Sequence, residues 1–410
     1  MSKLRGLSGR IFAAPAAVIA LLIAGVAGCL ATFLSLDGAN AQQLSDFQLF
    51  YFPAMQDFAA DPLGAFADYS AAPTPLYYLL QGLVLKATGW DASVRIVSVC
   101  LGGIAIWLAL RFPATQERRL LVVAAMLISP YFRGQVWYAN GDILALVLCL
   151  AVLSWTPATR AGWLSRLGLA SLGVYVRQNF IFLPAYLFIE GGLADRRRIL
   201  RGLILAVLSG LPLLWLVSVW GGLAPPRFTG HLSPADLPAT LSVGITITAV
   251  YLAPIVLLRL FQPQRLLQRL RALPVPVHMF AIASALGLGL AADGYDHVLG
   301  GGLVFLAAKA GSGLLGAPVA VMFIPAYFLS LYALAVFIAA NPGRNTLILA
   351  ATLSMSISIH IYQRYFDPLI PLLLLFWARS PELLWLERRS LLWTTALPSL
   401  LIAVAATITH

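Results

Sequence analysis

The sequence predicts an all-α polytopic membrane protein. Hydrophobic residues make up 60% of the chain and charged residues only 10%. Apolar runs recur from one end to the other, and threading them alternately through a bilayer gathers the basic residues on one side. A composition this apolar leaves too little polar surface for one or two water-soluble domains. At roughly 20 residues per crossing, a chain of 410 residues holds about a dozen spans and no additional soluble catalytic domain. Any chemistry must then be built from loops and helix ends.

The expected spans are 11–35, 94–110, 119–131, 141–156, 166–175, 179–190, 198–220, 240–258, 277–292, 316–340, 345–360, 365–378 and 390–407, which is 13 within a range of 11 to 14. They form a single integral membrane domain over 1–410, with residues 37–93 as an outside loop carrying juxtamembrane helices. Several are shorter than a full crossing and need neighbouring residues or local bilayer thinning.

The formal net charge of +11 would point to nucleic acid in a soluble protein, but its placement points elsewhere. With the N-terminus inside, 20 of the 27 Lys and Arg fall in inside loops: Lys3–Arg10, Arg111–Arg119, Arg160 and Arg166, Arg196–Arg201, Arg259–Arg271, Arg344, and Arg379–Arg389. Acidic residues fall mostly outside. This is the positive-inside pattern of a membrane protein, and it excludes nucleic acid as the partner. Cys29, Cys100 and Cys149 lie in apolar stretches, where a thiol acts as a small hydrophobe, so no disulfide framework is implied. VAGC at Val26–Cys29 is similar to a lipoprotein processing site, yet the apolar run continues through Leu30–Leu36, as expected for an uncleaved first helix. The excess of Arg over Lys, with abundant Ala, Gly and Pro, points to a bacterium and its cytoplasmic membrane.

Residues 37–93 are too long and too patterned for a simple connection. Phe47, Phe50, Tyr51, Ala54 and Phe58 recur at helical spacing, so this piece is expected to lie on the membrane with its apolar face down. The second piece, PTPLYYLLQGLVLKA over Pro73–Ala87, opens with prolines that permit a first helical turn but no continuous helix before it. It is too short to span comfortably. Counting it as a span would also invert every later basic loop, so it is read as juxtamembrane.

These segments resemble the GT-C superfamily glycosyltransferases, polytopic enzymes that use lipid-phosphate sugars, and within them the dolichyl-phosphate-glucose alpha-1,2-glucosyltransferases. SDFQLFYFPAMQDF (Ser45–Phe58) is similar to the family's acidic motif before a helix. TPLYYLL (Thr74–Leu80) is similar to its TTPPGLY stretch, VRQNFIFLP (Val176–Pro184) to its RQTNI segment, and IYQRYFDP (Ile361–Pro368), more weakly, to its NRHYTFY region. Two departures stand out: Asp46 is followed by Phe47 where the family has a second acidic residue, and no asparagine precedes Arg364. The resemblance implies a bacterial relative, active at the outer face of the membrane, that moves a hexose from a polyprenyl-phosphate-linked sugar to a glycan or lipid-linked saccharide acceptor. It implies no cofactor and no metal.

That chemistry needs a base for the acceptor hydroxyl and positive charge for a phosphate leaving group. Asp46 is the candidate base; the alternative is a helix N-cap, for which Asp is equally suited. Arg177, Gln178 and Arg364 are the candidate donor-phosphate contacts, because a guanidinium matches phosphate oxygens bidentately. Their alternatives are structural pairs, Arg177 with Asp142 or Asp46, and Arg364 with Asp367. Tyr77, Asp142 and Asn179 are the implied substrate contacts, and Asp142 could equally cap the span that YANGD (Tyr138–Asp142) opens. Asp57, Asp61 and Asp68 read as a solvated loop face. Asp293, Asp296 and His297 are a weak metal signal near Lys309, itself in a surface or re-entrant stretch, and His231 and His360 read as structural. A transporter or flippase is the competing class. It would place charges along a path inside spans and show matched broken helices in two halves, whereas here the ionisable groups fall in loops and helix ends.

Overall fold

The computed structural model describes residues 41–111, 123, 125–127, 129–155, 159–189, 196–222, 225, 227–228, 237–260, 263–290, 299–301, 303–316, 318–357, 361–362, 366–367 and 369–374. Outside them lie the expected first and last spans, the basic segments Lys3–Arg10 and Arg379–Arg389 with most of Arg111–Arg119, Cys29, the Asp293–His297 loop, His231, His360 and Arg364. The described chain is helical apart from one pair of short strands. It forms two compact units, one within 35–112 and 132–233, the other within 113–131 and 234–410.

In the first unit, α1 (Ala41–Asp46) runs through a π turn (Phe47–Tyr51) into α2 (Phe52–Ala60). Pro53 has no N–H with which to continue a regular α-helical ladder, and the wider turn sits just ahead of it. The apolar face expected to lie on lipid is covered by protein instead. Phe47, Ala54 and Phe58 are buried, and α2 packs along α3 (Leu76–Thr88). Gly82 makes that approach possible, since a Cβ there would stand 2.7 Å from the Met55 carbonyl oxygen and 2.7 Å from Phe58 Cβ. Between the two helices, the Asp61 carboxylate accepts from the amides of Leu63 (3.1 Å) and Gly64 (3.0 Å). Those amides, the Gly64 bond first, hold its pKa below the usual carboxylate value. Asp57, Asp61 and Asp68 are exposed, as a solvated loop face requires.

Helix α3 begins after Pro75 and ends at Gly89, whose φ of 61° lets its N–H return to the Leu85 carbonyl at 2.8 Å. Helix α4 (Ser93–Ala109) packs on α3. The next pair, α5 (Pro130–Trp137) and α6 (Asp142–Ser154), is bent by 111° between Tyr131–Trp137 and Asp142–Ser154. Helix α7 (Arg160–Val176) opens on Thr159, whose hydroxyl accepts from the Gly162 amide at 3.1 Å. Arg166, expected in a loop, lies within α7 and is buried; its Nε donates to the Val152 carbonyl at 2.9 Å in the last turn of α6, where a cation also suits the helix dipole. A 3-10 turn (Gln178–Ile181), α8 (Phe182–Ile189) and α9 (Arg196–Trp220) complete the unit.

The second unit contains α10 (Leu237–Leu260), α11 (Pro263–Arg271), α12 (Val275–Leu290), β1 (Leu299–Gly301), α13 (Leu303–Leu315), α14 (Val319–Ala340), α15 (Pro342–Met355), β2 (Ile361–Tyr362) and α16 (Leu369–Leu372). Helix α14 packs against α10 and α12, and α10 also meets α15. Hydroxyls line the α10–α15 seam: Thr248 and Thr352 share a hydrogen bond at 2.8 Å, and Gly244 lies against the Ser356 side chain. Asn341 caps α15 by accepting from the Arg344 amide, and Pro342 fills its first turn. Strands β1 and β2 pair in parallel, Leu299 opposite Ile361 and Gly301 opposite Tyr362, a contact that apolar periodicity does not foretell. Asp367 is buried and accepts from the Ser129 hydroxyl at 2.6 Å.

Among the described residues two helices are long and apolar enough to cross a membrane, Gly202–Trp220 and Phe323–Ala340, and the bent pair passes the same test taken together. Ser93–Ala109, Leu237–Ala253 and Val275–Gly287 are shorter apolar helices. The five single helices and Asp142–Ser154 overlap expected spans, whereas Tyr131–Trp137 lies almost wholly in a stretch expected as a loop.

The contact at Gly82 generates a direct stability test. Gly82→Ala gains helix propensity but forces a methyl onto the α2 backbone, so it should destabilise the protein by about 1–3 kcal/mol. Gly103→Ala, in α4 where nothing lies within 4 Å of an added Cβ, should be neutral or stabilising. Thermal unfolding of the two purified variants checks the pair.

Candidate functional site

The first unit brings three of the singled-out segments together. Thr74 donates from its hydroxyl to the Val174 carbonyl at 2.9 Å, which ties the start of α3 to the last turn of α7. Gln178 donates from Nε2 to the Ala72 carbonyl at 3.1 Å. TPLYY and VRQN are therefore neighbours, more than 90 residues apart in sequence. YANGD joins them through an ion pair, Arg177 Nη1 to Asp142 Oδ1, whose side chains are 15% and 9% exposed. The Asp142 pair is one of the two structural pairs expected of Arg177.

Local backbone explains why Asp142 stands there. Ala139 holds a φ of 47°, a left-handed conformation costly for a residue with a Cβ. Asn140 accepts the Asp142 amide on its side-chain oxygen at 3.1 Å, so the chain reverses within the YANGD turn and α6 starts at Asp142. The broken α5–α6 pair was not expected from the sequence, because apolar periodicity reports helices and not the angle between them. Arg177 sits at the opposite junction: an extended residue (φ −155°, ψ 119°) between α7 and the 3-10 turn. Asn179 lies half-buried within that turn.

Adjacent tyrosines on α3 divide their roles. Tyr77, expected as a substrate contact, is buried with its hydroxyl 2.5 Å from Ser98 Oγ and accepting from Gln81 Nε2 at 2.8 Å. It holds α3 to α4. Tyr78 is fully buried, and its hydroxyl has no hydrogen-bond partner among the described residues, as is also true of the Gln178 side-chain oxygen. A buried polar group left open costs free energy unless something occupies it. Gly141 lies 3.5 Å from the Tyr77 side chain, measured from the Cβ it lacks, so the YANGD turn meets α3 at Tyr77.

Asp46 is not an N-cap. Its backbone is helical (φ −59°, ψ −38°), its side chain makes no capping bond, and α1 continues past it into the π turn. It is half-buried. The π turn that follows places Tyr51 5.4 Å from the Tyr78 ring and sets Phe47 under Arg95, whose guanidinium carbon is 5.4 Å from the Phe47 centroid and 5.4 Å from that of Trp137. Arg227 lies over Phe50 at 4.8 Å. Arg95 and Arg227 thus set two cations over rings of the π turn that follows Asp46. Sequence reading passed over both, although a charge inside the apolar run SVRIVSV was a usable signal for Arg95. Arg364 lies outside the described residues, and β2 ends just before it.

The loop beneath is well fixed. Tyr69 donates to the Pro73 carbonyl at 2.7 Å and stacks on Trp220, whose indole N–H donates to the Phe66 carbonyl at 3.0 Å. Burial pushes the Tyr69 hydroxyl well above its usual pKa, so it stays a donor.

No protein-family model, curated protein or solved structure matches this chain.

Breaking the Asp142–Arg177 pair one side at a time should be costly, because it strands a charge in a largely buried setting. Asp142→Ala and Arg177→Ala are each expected to lose about 3 kcal/mol, and the double variant less than the sum. A double-mutant cycle in denaturant unfolding measures the coupling.

Proposed function

We propose that this protein is a GT-C-like integral-membrane glycosyltransferase that moves a hexose from a polyprenyl-phosphate-linked donor to a glycan or lipid-linked saccharide. In this reading the chain crosses the bacterial cytoplasmic membrane about 13 times, and its site faces the periplasm. The observation that carries the proposal is the convergence of TPLYY, YANGD and VRQN on the Asp142–Arg177 pair, next to a tyrosine hydroxyl with an open hydrogen-bonding position. Two of them, TPLYY and VRQN, resemble glycosyltransferase motifs, and that resemblance is independent of their proximity.

The chemistry divides among the residues as follows. Asp46 takes the proton of the acceptor hydroxyl as that oxygen bonds to the anomeric carbon of the donor. The bond from that carbon to the phosphate oxygen breaks with its electron pair, and polyprenyl phosphate departs as an anion. Arg177 holds the phosphate through its guanidinium, and Asp142 keeps the fork oriented. Gln178 and Tyr78 offer hydrogen bonds to sugar hydroxyls, and Asn179 lies on the same turn as Gln178. Tyr77 positions α3.

A specific observation favours a second reading, a transporter or saccharide-lipid flippase: the 111° break between α5 and α6, with Asp142 at its apex, is the kind of interrupted helix on which carriers bind substrates. The two readings separate at Asp46. Asp46→Asn keeps a residue of similar helix propensity at an interior helical position, so folding should be preserved while hexose transfer falls by about 10² or more. Wild-type turnover in a stably folded Asp46→Asn protein would remove Asp46 as the base.

A further inference from the structure

We propose that α11 (Pro263–Arg271) is an interfacial helix that binds the headgroups of anionic phospholipids at the end of α10. The proposal rests on α10 and α12 being membrane-embedded, and it is independent of the glycosyltransferase reading.

Helix α11 reads PQRLLQRLR and follows α10 after a two-residue gap. By helical position Leu266, Leu267 and Leu270 share one side, Arg265, Gln268 and Arg269 the other, and Arg271 stands at the boundary. The helix is not buried in its own unit. Leu267 is 51% exposed, and Gln264, Gln268 and Arg271 are exposed as well. An exposed leucine one turn from an exposed arginine on so short a helix has no place within hydrocarbon, and bulk water leaves the leucine unburied. It has one at the boundary, with the leucines among the first methylenes and the guanidinium groups among headgroups.

Charge identifies the occupant. Arg259, Arg265, Arg269 and Arg271 lie within 13 positions, and no acidic residue occurs between Asp236 and Asp293. A zwitterionic headgroup offers such a cluster no net attraction, whereas an anionic leaflet attracts every basic residue held near its surface. The apolar surface continues into α12, where Val275, Met279, Phe280 and Leu286 are exposed and need lipid around them. Leu273 is buried and Pro274 follows it, which anchors the turn between α11 and α12 and fixes the helix at one depth.

The test uses the full-length protein in nanodiscs, with Cys29, Cys100 and Cys149 replaced by Ala and an environment-sensitive fluorophore on Leu267→Cys. Brominated phosphatidylglycerol and brominated phosphatidylcholine are compared as quenchers in mixed bilayers. Phosphatidylglycerol is expected to be enriched at the probe about tenfold or more, and the preference should collapse in 1 M salt, where screening acts within roughly 3 Å. Arg265→Gln, Arg269→Gln and Arg271→Gln together should abolish the preference, and the corresponding Lys variant should retain it, since the leaflet field reads charge and not the planar fork. A probe quenched by neither lipid would overturn the interfacial position. Equal quenching by both lipids, or a preference unchanged by salt, would overturn the anionic partner; the salt comparison needs no substitution in the arginines and so holds even if the Gln variant fails to fold.

Discussion

The Asp142–Arg177 ion pair is the interaction on which the first unit depends, because it joins two backbone interruptions that helices alone cannot hold together. At one end, α6 begins after a turn that strains Ala139; at the other, α7 stops at an extended Arg177. Two charges drawn out of water are a poor source of net stability, since desolvation cancels much of their attraction. Their value is geometric. A carboxylate and a guanidinium that must find each other admit few arrangements of the helices carrying them, and Thr74 and Gln178 then fasten the α3 entrance to the same spot through backbone carbonyls.

Around this pair the packing is close, and the closeness is set by small residues and prolines. Gly82 lets α2 lie against α3, the prolines at 73 and 75 start α3 afresh, and Gly89 ends it in a left-handed turn. A continuous α-helix through Asp46 would rotate Phe47 and Tyr51 relative to their present neighbours. The π turn gives Phe47 to Arg95 and Tyr51 to Tyr78, so the helix that carries Asp46 is oriented by aromatic contacts on both sides of the turn. The second unit rests on a different device, a seam of hydroxyls between α10 and α15 that satisfies its polar groups internally, as an apolar surround requires.

How much of this could be read from the residues depends on the range of the determining interaction. The start of α3 was legible because proline chemistry is local, and the mutual pairing of Arg177 and Asp142 was legible as one of two choices because a charge near an apolar core needs a partner. Which of two adjacent tyrosines would be satisfied was not legible: the answer lies in Ser98 and Gln81, which capture Tyr77 and leave Tyr78 open. The amphipathic stripe of Phe47 to Phe58 was read as a face laid on lipid and is covered by protein instead, because a stripe does not say which of the two covers it. Asp46 shows the same limit, since it is the helical turn before it, begun at Ala41, that makes it an interior residue and not a cap. The parallel pairing of Leu299–Gly301 with Ile361–Tyr362 leaves no trace in hydropathy, because it is made by the backbone.

In the glycosyltransferase we propose, Asp46 on its aromatic-oriented helix and Arg177 braced by Asp142 would share one site for transfer of a sugar away from a phosphate. The most direct measurement is mass analysis of polyprenyl-phosphate hexoses incubated with the purified protein and a saccharide acceptor. The account predicts loss of the hexose from the donor, release of polyprenyl phosphate, and gain of one hexose by the acceptor. A donor that stays intact across a panel of hexoses and acceptors, while a labelled lipid-linked saccharide crosses the bilayer of proteoliposomes, would contradict it.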